Sequence, residues 1–176
     1  MLVSRARQEV KVPVQLHLHN DYGLALANAF AGVKAGATAV TTTVNGIGER
    51  AGNVPLEQFA VGMKYLYGSD IGIDCTKMKR LSDVVCQFSG LHKPRNQPLV
   101  GTNAFTHESG IHVAAILNCP MTYESLPPEA VGNERHIIMG KKTGVNYVKK
   151  RLVDMSIDAS EEQAIEICRG VKELGG

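Results

Sequence analysis

Two histidines one residue apart, His17 and His19, form the first pair in this sequence with the types and spacing for chemistry. On a strand, residues at i and i+2 face the same side, so both imidazoles would converge in a chelating arrangement. Imidazole nitrogens suit zinc and other first-row divalent ions, and one further oxygen ligand would make a catalytic site with open positions. The competing reading is a pair of packed or solvated histidines at a strand end. Asn53 closes a glycine-rich loop, Asn45-Gly-Ile-Gly-Glu-Arg-Ala-Gly-Asn53, and its side-chain carbonyl is a candidate third ligand. An Asn ahead of Val54-Pro55 is equally a candidate helix N-cap. Within the same loop Glu49 and Arg50 are either a solvated turn or, for Glu49, a carboxylate placed to orient a histidine acting as acid or base.

These residues need strand ends and loops to position them, and the flanking patterns predict both. Val12 to His17 is a short β-branched and apolar run, followed by an alanine-rich helix over 23–35. Leu26, Phe30 and Val33 give that helix one apolar face, with Asp21 as its N-terminal cap and Gly36 as its stop. Ala39 to Val44 reads as a second strand, and after the glycine-rich loop comes a helix with Leu56, Phe59, Ala60, Met63 and Tyr67 on one face. This β-α-β-α cadence is that of a parallel α/β structure, which places catalytic groups at the carboxyl ends of its strands. From about Cys75 the alternation stops. The expected organisation is an α/β unit over 1–74, a linker over 75–100 containing Lys93-Pro-Arg-Asn-Gln-Pro98, and a mostly helical unit over 101–176. In the last, Ser160 and Gln163 have capping-box spacing at the start of a helix.

Composition narrows the function classes. Charged residues make up 20% of the 176 and the formal net charge is +2, a balance that implies neither a nucleic-acid nor a membrane partner. No apolar stretch reaches the length of a membrane span, and the first residues hold no run of signal-peptide type. The four cysteines lie far apart without a CxxC pair, which argues for reduced thiols and a cytoplasmic location.

Four motifs in order, Leu16-His-Leu-His-Asn-Asp-Tyr-Gly-Leu-Ala25, Asn45 to Asn53, Asn103-Ala-Phe-Thr-His-Glu-Ser-Gly-Ile-His112 and Gly140-Lys-Lys-Thr-Gly144, resemble the isopropylmalate, homocitrate and citramalate synthases of the DRE-TIM metallolyase superfamily. The resemblance implies the last two βα units of a TIM (β/α)8 barrel followed by a mostly helical post-barrel subdomain. It implies that His17, His19 and Asn53 are ligands of a divalent metal (Mg, Mn or Zn), and that Glu49 assists His112, a catalytic histidine supplied by the neighbouring subunit of a homodimer. His107 and Glu108 belong to the same segment as His112. The implied reaction condenses acetyl-CoA with a 2-oxo acid and hydrolyses the thioester, as in amino-acid biosynthesis.

The departures from the family pattern carry expectations too. A whole barrel needs about 250 residues, so the first six units, an acidic metal ligand and its neighbouring arginine fall outside this sequence, and the chain alone is expected to be inactive. The loop the family often writes GKHSG stands here as Gly140-Lys-Lys-Thr-Gly144, and no tyrosine sits where some members carry a second inter-subunit catalytic group, with His136 only a loose substitute. Two other functions compete: an acyl-CoA lyase of the same superfamily, whose glycine loop would offer a cysteine, and a non-catalytic dimerisation module.

Overall fold

The computed structural model describes residues 2–174. A first helix the sequence patterns did not signal, α1 (Leu2–Glu9), buries none of its residues. β1 (Gln15–Leu16) then leads through the His17–Gly23 loop into α2 (Ala25–Lys34). The helix is where the alanine-rich stretch predicted it, but its most deeply buried positions are the small ones, Ala25, Ala29 and Gly32. Gly32 lies against Leu16, where a Cβ would collide with the leucine side chain, so the strand and helix approach through a glycine. Leu26, Phe30 and Val33 pack beside that contact, half-buried, with Val54, Phe59 and Met63.

The second predicted strand is split. β2 (Ala39–Val40) pairs in parallel with β1, and β3 (Thr42–Thr43) pairs in parallel with β4 (Val54–Pro55), so the strand changes partner at Thr41. A 3-10 turn over Val44–Gly46 opens the glycine-rich loop, and α3 (Leu56–Tyr65) follows β4 directly. Phe59, Ala60 and Met63 are buried as their spacing predicts, whereas Tyr67 lies beyond the helix, half-exposed against Phe30.

Two capping expectations are corrected. The α2 amide of Ala25 donates to Asn20 Oδ1 at 3.1 Å, not to Asp21, which turns outward to bind Arg50. Asn53 does not cap α3, whose N-cap position is Pro55, because Val54 and Pro55 form β4 in between. Gly36 ends α2 as predicted, at φ +101°, a backbone region that favours glycine.

Residues 75–100 contain α4 (Met78–Ser89), closed by Gly90 in the left-handed conformation. Cys75, Met78 and Val100 join Ala60 and Val61 of α3 to Phe105, Leu126 and Val131 in one apolar core. Beyond it lies a parallel pair with no sequence signal, β5 (Thr106–His107) with β6 (His136–Ile137). Three helices complete the region: α5 (Gly110–Asn118), α6 (Val145–Asp154) and α7 (Glu161–Leu174). α7 begins with the predicted capping box: Gln163 N donates to Ser160 Oγ, and Ser160 N donates to Gln163 Oε1 at 2.8 Å. Val148, Ala164 and Cys168 seal α6 against α7. No helix among the described residues is long and apolar enough to cross a membrane.

Candidate metal and acyl-transfer site

The carboxyl ends of β1 and β3 carry the two loops that hold the candidate residues. β1 stops at Leu16, and three residues on His19 forms an isolated antiparallel bridge with Asn53. Asn20 N donates to the Gly52 carbonyl at 2.9 Å, so the two loops are stitched together backbone to backbone. The i, i+2 geometry brings the imidazoles to one side: His17 Nε2 and His19 Nε2 stand 3.2 Å apart, their rings edge to face.

That separation suits a shared ion. Two nitrogens at about 2.0–2.1 Å from one metal stand roughly 3.3–3.4 Å apart in a tetrahedron and about 2.8–3.0 Å apart at right angles. The third candidate is buried beside His19: Asn53 is 7% exposed, its Nδ2 donates to the Ile47 carbonyl at 3.2 Å, and its Oδ1 has no hydrogen-bond partner. A buried carbonyl oxygen left without a donor is costly unless something positive meets it. His19 Nδ1 is likewise buried without a partner. Two imidazole nitrogens at chelating distance and a buried amide oxygen without a donor on the adjoining loop are donor types that a divalent cation takes. Among the described residues no group of three His, Cys, Asp or Glu is placed to hold a metal ion.

Glycines make the loop possible. A Cβ at Gly52 would collide with the Gly46 carbonyl oxygen, and one at Gly48 with the Asn53 side-chain amide. Asn53 N donates to that same Gly46 carbonyl at 2.9 Å, closing the loop. At its tip Arg50, at φ +55°, binds Asp21 through two bonds of 2.8 and 3.1 Å, which ties the loop to the one after β1. The Arg50 guanidinium holds the Asp21 carboxyl below its usual range. A polar cavity of about 360 Å³ opens behind Asn53, lined among others by Asn20, Asn45, Gln58 and Gln97 and by no charged side chain.

Glu49 and His112 are not brought together: no hydrogen bond or ion pair joins them among the described residues. Glu49 is exposed on the loop, and His112 is exposed on α5, which packs against α6. The ring that meets His112 is Tyr123, centroid to centroid 4.2 Å, a partner the motif spacing did not reveal. The next residue, Glu124, is buried and takes two 2.6 Å bonds from Arg135, with His107 Nε2 at 3.3 Å. The Glu124 carboxyl is held below its usual range, chiefly by Arg135. Glu108 instead accepts from the backbone of Lys142 at 3.0 Å, fixing the Gly140–Gly144 turn.

Residues 1–85 match the family described as HMGL-like, and residues 99–176 match the one described as homocitrate synthase post-HMGL domain-like. Over 99% of its length the chain is 46% identical to a homocitrate synthase of Methanopyrus kandleri, spanning 44% of that protein. It belongs to the isopropylmalate, homocitrate and citramalate synthase family. An (R)-citramalate synthase and a 2-isopropylmalate synthase of Methanocaldococcus jannaschii are 44% and 41% identical, each over 99% of this chain. The chain spans 35% and 34% of those relatives, well under half of their length.

Proposed function

We propose that this chain supplies metal-binding and proton-transfer residues to an acyl-CoA-dependent condensing synthase. Such an enzyme joins the methyl carbon of acetyl-CoA to the ketone carbon of a 2-oxo acid and hydrolyses the thioester, giving a 2-hydroxy acid with one more carboxylate. The observation that carries this reading is the convergence of His17 and His19 at 3.2 Å beside the orphaned Asn53 oxygen, at the carboxyl ends of parallel strands. In this reading β1 with α2 and the β2–β3 strand with α3 are the last two βα units of a (β/α)8 barrel, and residues 101–176 form the post-barrel subdomain.

His17 and His19 through Nε2, and Asn53 through Oδ1, would hold Mg, Mn or Zn. When bound, the ion polarises the ketone of the 2-oxo acid and stabilises the alkoxide that forms on addition. His112 Nδ1 or Nε2 takes the proton from the acetyl methyl group, and its exposure leaves the ring free to face a substrate. Tyr123 fixes the ring plane from one side. Glu49, exposed on the loop, orients His112 across the interface of a homodimer. Sharing between subunits is what this reading requires, since α5 packs on α6 and no hydrogen bond or ion pair joins His112 to Glu49 among the described residues. The alternative lyase chemistry finds no cysteine between Asn45 and Asn53.

The test is a chimera in which this chain follows the preceding barrel residues of the Methanopyrus kandleri homocitrate synthase. Release of free CoA from acetyl-CoA should require both a 2-oxo acid and a divalent ion, and His17→Ala should abolish it. Mixing His17→Ala with His112→Ala protomers should restore part of the rate if the site is shared. Acetyl-CoA turnover indifferent to 2-oxo acid and metal would reject the assignment.

A further inference from the structure

The metal-ligand loop is not self-supporting. Its first residue, Asn45, has φ +60° and ψ +8°, a left-handed conformation that asparagine tolerates only with local support. Every polar atom of its side chain is engaged, and all the partners lie on α4. Nδ2 donates to the Ser82 carbonyl at 3.0 Å and reaches Cys86 Sγ at 3.3 Å, while Oδ1 accepts from the Ser82 hydroxyl. Ser82 is fully buried, and its oxygen also accepts from Lys93 Nζ at 2.7 Å. Lys93 is itself held by Asp83 at 2.5 Å. From the opposite side Asn45 N donates at 3.0 Å to Oε2 of Glu57, a carboxylate on α3 that is 1% exposed. One residue further, the Gly46 carbonyl accepts the backbone amide of Asn53.

We propose that Asn45 is a positioning residue for the metal ligand Asn53, clamped by Ser82 of α4 on one side and by Glu57 of α3 on the other, so that docking of α4 aligns the Gly46 carbonyl from which Asn53 hangs. Helix α4, with Lys93 bonded to its Ser82 and Asp83, therefore takes part in site formation from the same chain. With its side chain engaged by Ser82 and Cys86, Asn45 acts on Asn53 through the loop backbone. The proposal deepens the metal-site reading and rests on it for its functional consequence, but its structural claim stands apart.

Two variants and a control separate these. Asn45→Gly keeps the left-handed backbone comfortable and the amide to Glu57 while deleting the side-chain clamp. Ser82→Ala removes only the hydroxyl. Val148→Ala opens a cavity between α6 and α7, away from the loop, and controls for general loss of stability. Amide hydrogen exchange at Asn53 should accelerate on the order of tenfold in both loop variants and stay unchanged in Val148→Ala. Co²⁺ affinity, read from its visible absorption bands, should weaken in the same two variants. Unchanged exchange at Asn53, or equal acceleration in the control, overturns the positioning claim. If Co²⁺ fails to bind the unaltered chain, the metal-site reading falls, and with it the role in ligand positioning, while exchange still decides whether α4 holds the loop.

Discussion

Replacing Glu124 by leucine removes the acceptor on which two basic residues converge. The carboxylate is 2% exposed, and Arg135 meets it with two 2.6 Å bonds while its own side chain is 27% exposed. Breaking a fully buried pair costs about 3–5 kcal/mol, most of it from the charge left behind. Arg135 can turn part of its guanidinium to water, so the expected loss is about 2–3 kcal/mol. For a chain of this length that corresponds to a fall in Tm of roughly 5–10 °C. Glu124→Leu combined with Arg135→Met, which strands no charge, should recover at least half of the loss. The pH dependence has a fixed sign. Arg135, and to a lesser extent His107, lowers the Glu124 carboxyl below its unfolded value. Its contribution is therefore fully present above the ordinary glutamate range and lost as pH falls through the lowered value. Thermal melts of the four proteins at neutral and acid pH are the assay. A Tm shift under about 2 °C, or a double variant as unstable as the sum of the singles, would refute this account of the Glu124–Arg135 pair.

Gly48→Ala places a methyl group against the Asn53 side-chain amide and should weaken Co²⁺ binding by about tenfold or more. An unchanged titration would show that the Asn53 side chain is not a ligand. Burial pushes the Glu57 carboxyl above its usual range, against opposing help from the backbone amides of Glu57 and Asn45 and from Gln97 and Lys93. Stability from this group is present below the unfolded pKa and lost as pH rises through the raised folded value. Glu57→Gln lacks that loss, so its stability relative to the unaltered chain should improve as pH rises from about 4 to 8 in urea unfolding. Parallel profiles would contradict the sign.

The parts of the fold that were legible in the sequence are those set by local repetition. The α2 and α3 positions follow from apolar spacing, and the Ser160–Gln163 box is a contact three residues long. The His17–His19 pair was legible for the same reason, since strand geometry alone sends i and i+2 to one side. What local patterns missed needed long-range pairing. Asp21 looked like a cap until Arg50, 29 residues on, claimed it. The two-residue β5 and β6 carry no alternation long enough to see, and only their mutual pairing across 30 residues defines them. Tyr123 beside His112 belongs to the same class.

Asn45 shows how far such long-range pairing reaches into the site. Its positive φ at the head of a glycine-rich loop is a conformation that either Asn or Gly can supply. The structure gives a reason for asparagine in particular, because glycine would supply the backbone conformation but none of the bonds to Ser82 and Cys86. Aspartate would place a charge about 3 Å from the Ser82 carbonyl, where the side-chain amide now donates. The residue choice thus reflects Ser82 and Cys86 on α4, distant in sequence, while Glu57 on α3 holds the Asn45 backbone amide. The loop that presents Glu49 and Asn53 is in consequence specified jointly by the α/β unit and by the helix that follows it.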